Sequence, residues 1–84
     1  MKQLFEEDLN NVSGGKITRQ QAFEIAAKDA GFDPEMLFDV DIDLEGPMNN
    51  PFFEVEFKKG FKEYKYYISI ENGTILDKFS HYDD

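Results

Sequence analysis

The sequence contains no cysteine, a single histidine and no long apolar run, and each absence narrows what the protein can be. Without cysteine there is neither a disulfide framework nor a thiolate metal site. No stretch approaches the roughly 20 apolar residues that span a bilayer, so membrane insertion is not expected. Phosphate-cradling glycine loops are lacking as well, and we expect neither a cofactor nor a metal.

Basic residues are also scarce, because nine Lys and Arg stand against eighteen Asp and Glu, a net charge of −9. The negative electrostatic potential of such a chain repels nucleic-acid phosphates and anionic lipids, so nucleic-acid binding is not expected. A basic partner surface is favoured, although acidity is also an ordinary route to solubility. At 84 residues the chain forms one small domain, with nine Phe and four Tyr to supply its core.

The helix signals are concentrated in one segment. Thr18 and Gln21 have the spacing of a capping box, and Gly31 is placed to end the helix, which predicts a helix over Arg19–Ala30. The residues expected on or beside its buried side are Ala22, Phe23, Ile25, Ala26 and Ala30.

After Pro34 the apolar period changes from 3.6 to 2, which is typical of strands. Four strands are predicted: "FDVDIDLE", "FFEVEFK", "FKEYKYYISI" and a short "TILDKF", with a hairpin turn at Asn72-Gly73. The side chains expected to face the core are Phe38, Val40, Ile42, Leu44, Phe53, Val55, Phe57, Tyr64, Tyr66, Ile68 and Ile70. The prediction is an α+β domain, with one helix packed on a four-stranded antiparallel sheet and a polar tail at 80–84.

Few side chains are suited to catalysis. His81 follows Ser80, but adjacent residues in a tail are not held in register as a base and its nucleophile. Glu54 and Glu56 share the outer side of a strand, where we expect them to pair with Lys65 or Lys58 rather than act as acid and base. We therefore predict no catalytic residues and no enzyme.

Three aspartates have the spacing that opens a calcium loop: Asp39, Asp41 and Asp43. Such a loop needs glycine at its sixth position and glutamate at its twelfth, where this chain has Leu44 and Asn50. The alternating pattern instead places the aspartates in a row on one strand face.

Aromatic residues on the outward positions are the better candidates for a contact surface. Phe52, Phe61 and Tyr67 have the opposite parity to the predicted core residues, and Tyr82 stands in the predicted tail. These four residues form either a partner-contact surface or the packing of the sheet edge against that tail.

The helix and strand motifs together resemble a PepSY domain over about residues 16–79. The shared features are I-T-x-x-x-A at the helix start, A-G-x-x-P at its end, and the runs "FFEVEF", "EYKYYISI" and "ENGTIL". One departure is Phe52-Phe53, where a tyrosine is common. PepSY domains occur in the propeptides of thermolysin-like metallopeptidases and in secreted or membrane-anchored bacterial proteins. The resemblance implies a non-catalytic module that inhibits or regulates peptidases.

The segment "MKQLFEEDLNNVSGG" at 1–15 resembles a double-glycine leader, the export signal of many bacteriocins. Those leaders end in a glycine pair, here Gly14 and Gly15. They carry apolar residues four, seven and twelve positions back, counting the last glycine as one, which here are Val12, Leu9 and Leu4. The resemblance implies recognition by an ABC transporter whose cysteine-peptidase domain cuts after the second glycine and which exports the remainder. A classical secretory signal is not expected, because three acids follow Phe5 where its apolar core would be.

The predicted function is that of a secreted, acidic bacterial protein of Gram-positive type, which binds a protein partner, most plausibly a peptidase. One alternative is an intracellular binding module that keeps its N-terminal arm, with the glycines acting as a hinge. Another is a homodimer formed through the aromatic face. A product that is itself an antimicrobial peptide is disfavoured by its acidity and regular fold.

Overall fold

The computed structural model describes residues 16–82. The predicted leader lies outside the described residues, and so do its assigned positions: Leu4, Leu9, Val12, Gly14 and Gly15.

One helix, α1, spans Arg19–Ala30, and it has the caps that the sequence predicts. The Gln21 backbone N–H donates to Thr18 Oγ1 at 3.1 Å, and the Thr18 N–H donates to Gln21 Oε1 at 2.8 Å. At the other end Gly31 adopts φ 89°, and its N–H donates to the carbonyls of Ala27 and Lys28. Both helix boundaries are therefore confirmed. They follow from local chemistry, because each cap satisfies backbone groups that the helix leaves unpaired.

Four antiparallel strands follow: β1 at Phe38–Glu45, β2 at Phe52–Lys59, β3 at Lys62–Ser69 and β4 at Ile75–Tyr82. They form one sheet in chain order, β1-β2-β3-β4, with a short 3-10 turn at Pro34–Met36 after α1. The fold is α+β, with one helix on one face of a four-stranded antiparallel meander, as predicted.

The core lies where α1 crosses the two central strands. Ala22 and Ala26 are fully buried, and because they are small they let the helix approach Phe57 and its neighbours on β2 and β3. The Phe57 ring stacks on Tyr64 at 5.3 Å and on Tyr66 at 6.0 Å between centroids. The predicted inward positions of β2 and β3 are thus confirmed. Ala27, which is also fully buried, was not predicted.

The prediction for β1 as a half-buried strand is wrong for most of its residues. Only Ile42 is partly buried, whereas Phe38, Val40 and Leu44 are exposed. A helix about 10 Å wide covers roughly two strands spaced about 4.8 Å apart, so the outer strand remains uncovered. A β-bulge adds to this effect: Phe38 pairs with Lys58 and so lies on the face away from α1.

The polar tail predicted at 80–84 begins too early, because Ser80, His81 and Tyr82 belong to β4. They pair with Tyr64, Glu63 and Lys62 of β3. The predicted hairpin before β4 is present, but its turn is longer than two residues. It is closed by the Gly73 N–H, which donates to the Ser69 carbonyl at 2.8 Å, with Gly73 at φ 77°.

An ion pair joins the end of α1 to β4. Asp29 Oδ2 accepts hydrogen bonds from Lys78 Nζ at 2.8 Å and from the Tyr66 hydroxyl at 2.9 Å. The contact with Lys78, and next the bond from Tyr66, lower the pKa of Asp29 below its ordinary value of 3.8. Burial of the ring, and next the hydrogen bond to the same carboxylate, raise the pKa of Tyr66. This cluster anchors the edge strand β4, which α1 does not cover, to the helix.

Replacing Asp29 with asparagine is expected to make unfolding less sensitive to acid. A carboxyl whose folded pKa is lowered stabilises the fold fully above its unfolded pKa, near 3.8, and that contribution disappears as pH falls through the lower folded value. The wild-type advantage over Asp29→Asn should therefore be present at pH 7 and shrink below about pH 4. Urea unfolding at several pH values measures it.

Asp33→Asn is the control, because the Asp33 side chain makes no capping hydrogen bond. At pH 7 this replacement should change the free energy of unfolding by less than Asp29→Asn does. An Asp29→Asn difference that is equally large at pH 7 and pH 3 would contradict the assignment.

Candidate functional site

The face of the sheet away from α1 is uncovered by any other element of the described residues, and we call it the open face. Cross-strand pairing places its side chains in rows, because paired residues point to the same side. One row runs from Asp43 through Glu54 and Tyr67 to Asp77, and the next runs through the following residues: Asp41, Glu56, Lys65 and Phe79. The β1 end of each row is acidic, whereas aromatic side chains gather toward β3 and β4.

Three aromatic rings form a continuous strip across the open face, which we call the aromatic strip: Phe52, Tyr67 and Phe79. The Phe52 and Tyr67 ring centroids are 5.2 Å apart, and those of Tyr67 and Phe79 are 5.7 Å apart with nearly perpendicular rings. Phe79 is 49% exposed. Phe52 and Tyr67 are half-buried beside it. Adjacent aromatic side chains at the surface are enriched in protein interfaces.

Gly46 helps to place this strip. It adopts φ 91° in the loop after β1, and a Cβ on it would lie 2.7 Å from the Phe52 ring. Glycine is therefore needed both for the backbone conformation and for the close approach of that ring.

The acidic half of the open face consists of Asp41, Asp43, Glu45, Glu54 and Glu56. Lys65 Nζ lies 3.2 Å from Glu54 and 3.3 Å from Glu56, which confirms the predicted pairing of these glutamates with Lys65. Hydrogen bonds to Glu54 and Glu56 raise the pKa of Lys65. The pKa of Asp41 is raised, first by the charge of Asp43 and then by burial. The β1 side of the face therefore carries negative charges that repel one another.

His81 and Ser80 point to opposite sides of β4, because successive strand residues alternate. His81 Nε2 lies 3.4 Å from Glu63 Oε1 on the open face, an ion pair when the imidazole is protonated. Ser80 pairs with Tyr64, which belongs to the helix side. This arrangement cannot make a histidine base for Ser80. A shallow depression of about 350 Å³ beside the aromatic strip is lined in part by His81 and Phe79.

The four aromatic residues predicted for a contact surface are divided between three places. Phe52 and Tyr67 lie together in the aromatic strip. Phe61 is in the two-residue turn between β2 and β3 and is 83% exposed. Tyr82 pairs with Lys62, whose Nζ lies 5.3 Å from the Tyr82 ring centroid, so it faces the helix side.

Phe79 was not predicted as part of the surface, although its ring forms the β4 end of the aromatic strip. The sequence shows that Asp77 and Phe79, two residues apart, share one face of β4. It does not show which face of the sheet that is. A register shift after Tyr67 pairs Ile68 with Ile75, which leaves Leu76 as an extra residue. Such a bulge changes the parity of the strand, and only the pairing with β3 reveals it.

The three aspartates with calcium-loop spacing do not converge. Asp39 lies at the β-bulge with φ 54° and has its Oδ2 3.5 Å from Lys58 Nζ, whereas Asp41 and Asp43 pair with Glu56 and Glu54. Across residues 16–82, no group of three or more acidic or histidine side chains is arranged to hold a metal ion.

No protein-family model matches this chain, and no curated protein or solved structure is significantly similar to it. None of the helical structure described for residues 16–82 has the length and apolar character of a transmembrane segment.

Proposed function

We propose that the protein is a non-catalytic binding module that inhibits or regulates a peptidase, and that it contacts its partner through the open face. The observation that carries this proposal is the aromatic strip of Phe52, Tyr67 and Phe79 beside an acidic half. Interfaces bind through a few rigid aromatic anchors surrounded by polar groups, and this face has that composition. The class of partner, a peptidase, rests on the resemblance to PepSY domains.

A non-catalytic role is supported by the chemistry of the described residues. His81 is engaged with Glu63 on the open face, and Glu54 and Glu56 share Lys65. The two glutamates thus take part in ion pairs on an open sheet face, which supports a structural role for them rather than acid–base catalysis.

Inhibition assays test the proposal directly. The purified 84-residue protein is titrated into a panel of secreted bacterial peptidases, thermolysin-type metallopeptidases first, and Phe79→Ser is compared with the wild type. We expect inhibition of at least one peptidase, and a loss of at least about tenfold in affinity for the variant, since it removes the most exposed ring of the aromatic strip.

Phe61→Ser is the matched control, because it also replaces an exposed phenylalanine, but in the β2–β3 turn. Circular dichroism checks that both variants stay folded. Equal inhibition by the wild type and Phe79→Ser would remove the aromatic strip from the interface. No inhibition of any peptidase in the panel would remove the peptidase proposal.

We also propose export through the double-glycine leader, with cleavage between Gly15 and Lys16 and action outside the cell. This proposal rests on the spacing of Leu4, Leu9 and Val12 from the glycine pair. The residues directly after the proposed cut belong to the domain, because the Ile17 N–H donates to the Ile70 carbonyl at 2.9 Å.

A further inference from the structure

We propose that the free edge of β1 binds an extended segment of a partner protein in which basic and apolar residues alternate, so that this segment adds a fifth strand to the sheet. This inference is independent of the peptidase proposal. It concerns an edge of the sheet rather than the aromatic strip.

The geometry of β1 suits strand addition over a short length. It is an outer strand of the β1-β2-β3-β4 sheet, and it pairs regularly with β2 only from Asp41 to Glu45. Before that point the bulge and Asp39, with φ 54°, interrupt the strand. An outer strand presents unpaired backbone N–H and C=O groups along its free side. The accessible template is therefore about five residues long.

The open-face side of that template has one sign of charge. Asp41, Asp43 and Glu45 follow one another at every second position. Asp41 pairs with Glu56, and the repulsion from Asp43 raises its pKa. Lysine or arginine side chains at every second position of an added strand would lie directly beside these acids and relieve the repulsion.

The helix side of the same template is apolar and only partly covered. Ile42 and Leu44 pair with Val55 and Phe53 of the core, yet Leu44 is 57% exposed because α1 lies over β2 and β3. Apolar side chains of an added strand would pack on Leu44 and extend the core sideways. Arg19 Nε donates to the Ile42 carbonyl at 3.4 Å, a long hydrogen bond that a backbone N–H of the added strand would replace.

A second copy of the chain does not fit this edge. Pairing two β1 strands would place the rows of Asp41, Asp43 and Glu45 against each other, and like charges directly opposite are destabilising. The other free edge is a poorer template, because β4 carries Asp77, Lys78 and His81 and so has no single sign of charge. Charge complementarity thus selects both β1 and a basic partner.

A short synthetic peptide tests the inference. The capped heptapeptide KVKVKVK is titrated into the full 84-residue protein labelled with 15N. Two peptides serve as comparisons: the scramble KKVVVKK, which has the same composition, and the acidic EVEVEVE. We expect KVKVKVK to shift and protect the backbone amides of Asp41–Glu45, and to bind at least about tenfold more tightly than the scramble and the acidic peptide.

The charge-reversed variant D41K/D43K makes the test specific. It should lose at least about tenfold in affinity for KVKVKVK and gain affinity for EVEVEVE, because the two ion pairs become repulsions. E24K/E71K, at exposed positions away from β1, changes the net charge equally and should bind KVKVKVK nearly as the wild type does.

Three results would overturn the inference. If the scramble bound as tightly as KVKVKVK, the binding would be unspecific attraction to an acidic protein. The same would follow if E24K/E71K lost as much affinity for KVKVKVK as D41K/D43K does. Absence of amide shifts in β1 at millimolar peptide would mean that its acids only keep sheet edges from pairing, their common role in natural proteins. The outcome does not depend on any peptidase, so it is separable from the inhibition assay.

Discussion

Phe57→Ala is expected to leave much of the protein unfolded at room temperature. Its ring is fully buried and touches both layers of the fold: it stacks on Tyr64 and Tyr66 of β3 and meets Phe23 of α1 edge to face at 6.0 Å. Removing a buried phenylalanine costs about 3–5 kcal/mol, the lost apolar burial plus the cavity that remains. A domain of this size has a stability of roughly 5 kcal/mol, so the loss is most of the total.

Urea unfolding followed by circular dichroism measures this effect, and Phe61→Ala provides the matched control. Phe61 is the same residue type but stands 83% exposed in the β2–β3 turn, so its replacement should change the free energy of unfolding by less than about 0.5 kcal/mol. If Phe57→Ala lost no more than Phe61→Ala, the core would have to lie elsewhere than between α1 and the two central strands.

Gly15→Val is expected to abolish release of the fragment that begins at Lys16. In the proposed processing, two residues without side chains pass through a narrow peptidase cleft, and a β-branched valine would add bulk and restrict the backbone there. Gly14→Val should act in the same way. Cleavage is measured by intact mass after incubation with the cysteine-peptidase domain of a double-glycine exporter.

Asn10→Val separates a block at the cut from general damage to the leader. It adds the same side chain at the sixth position back, counting Gly15 as one, where the leader pattern requires no particular residue. This variant should be cut like the wild type. If Gly15→Val were cut like the wild type, the peptidase would not require a residue without a side chain at this position, and the proposed role of the glycine pair would be wrong. If the wild type itself were not cut, the glycine pair would act as a hinge, and the chain would keep its N-terminal segment. Partners would then have to be sought inside the cell.

The two proposed surfaces of the protein differ in how far the sequence predicted them. Phe52 and Tyr67 were assigned to the outward side from their alternation with Phe53 and Tyr66, and they do lie together on the open face. Phe79, the third member of the strip, was not found, because a bulge at Leu76 changes the parity of β4. The free edge of β1 was also missed, since a regular alternation of apolar residues predicts burial whether or not another layer covers the strand.

Local sequence thus specified the elements of this protein, and only tertiary structure decided what each of them covers. The capping box at Thr18, the αL glycine at Gly31 and the alternation in β2 act through residues a few positions apart, so they can be read directly. Exposure of β1 follows instead from the width of one helix set over a four-stranded sheet. That is a relation between distant segments, and it is what leaves the helix side of β1 uncovered at the edge of the sheet.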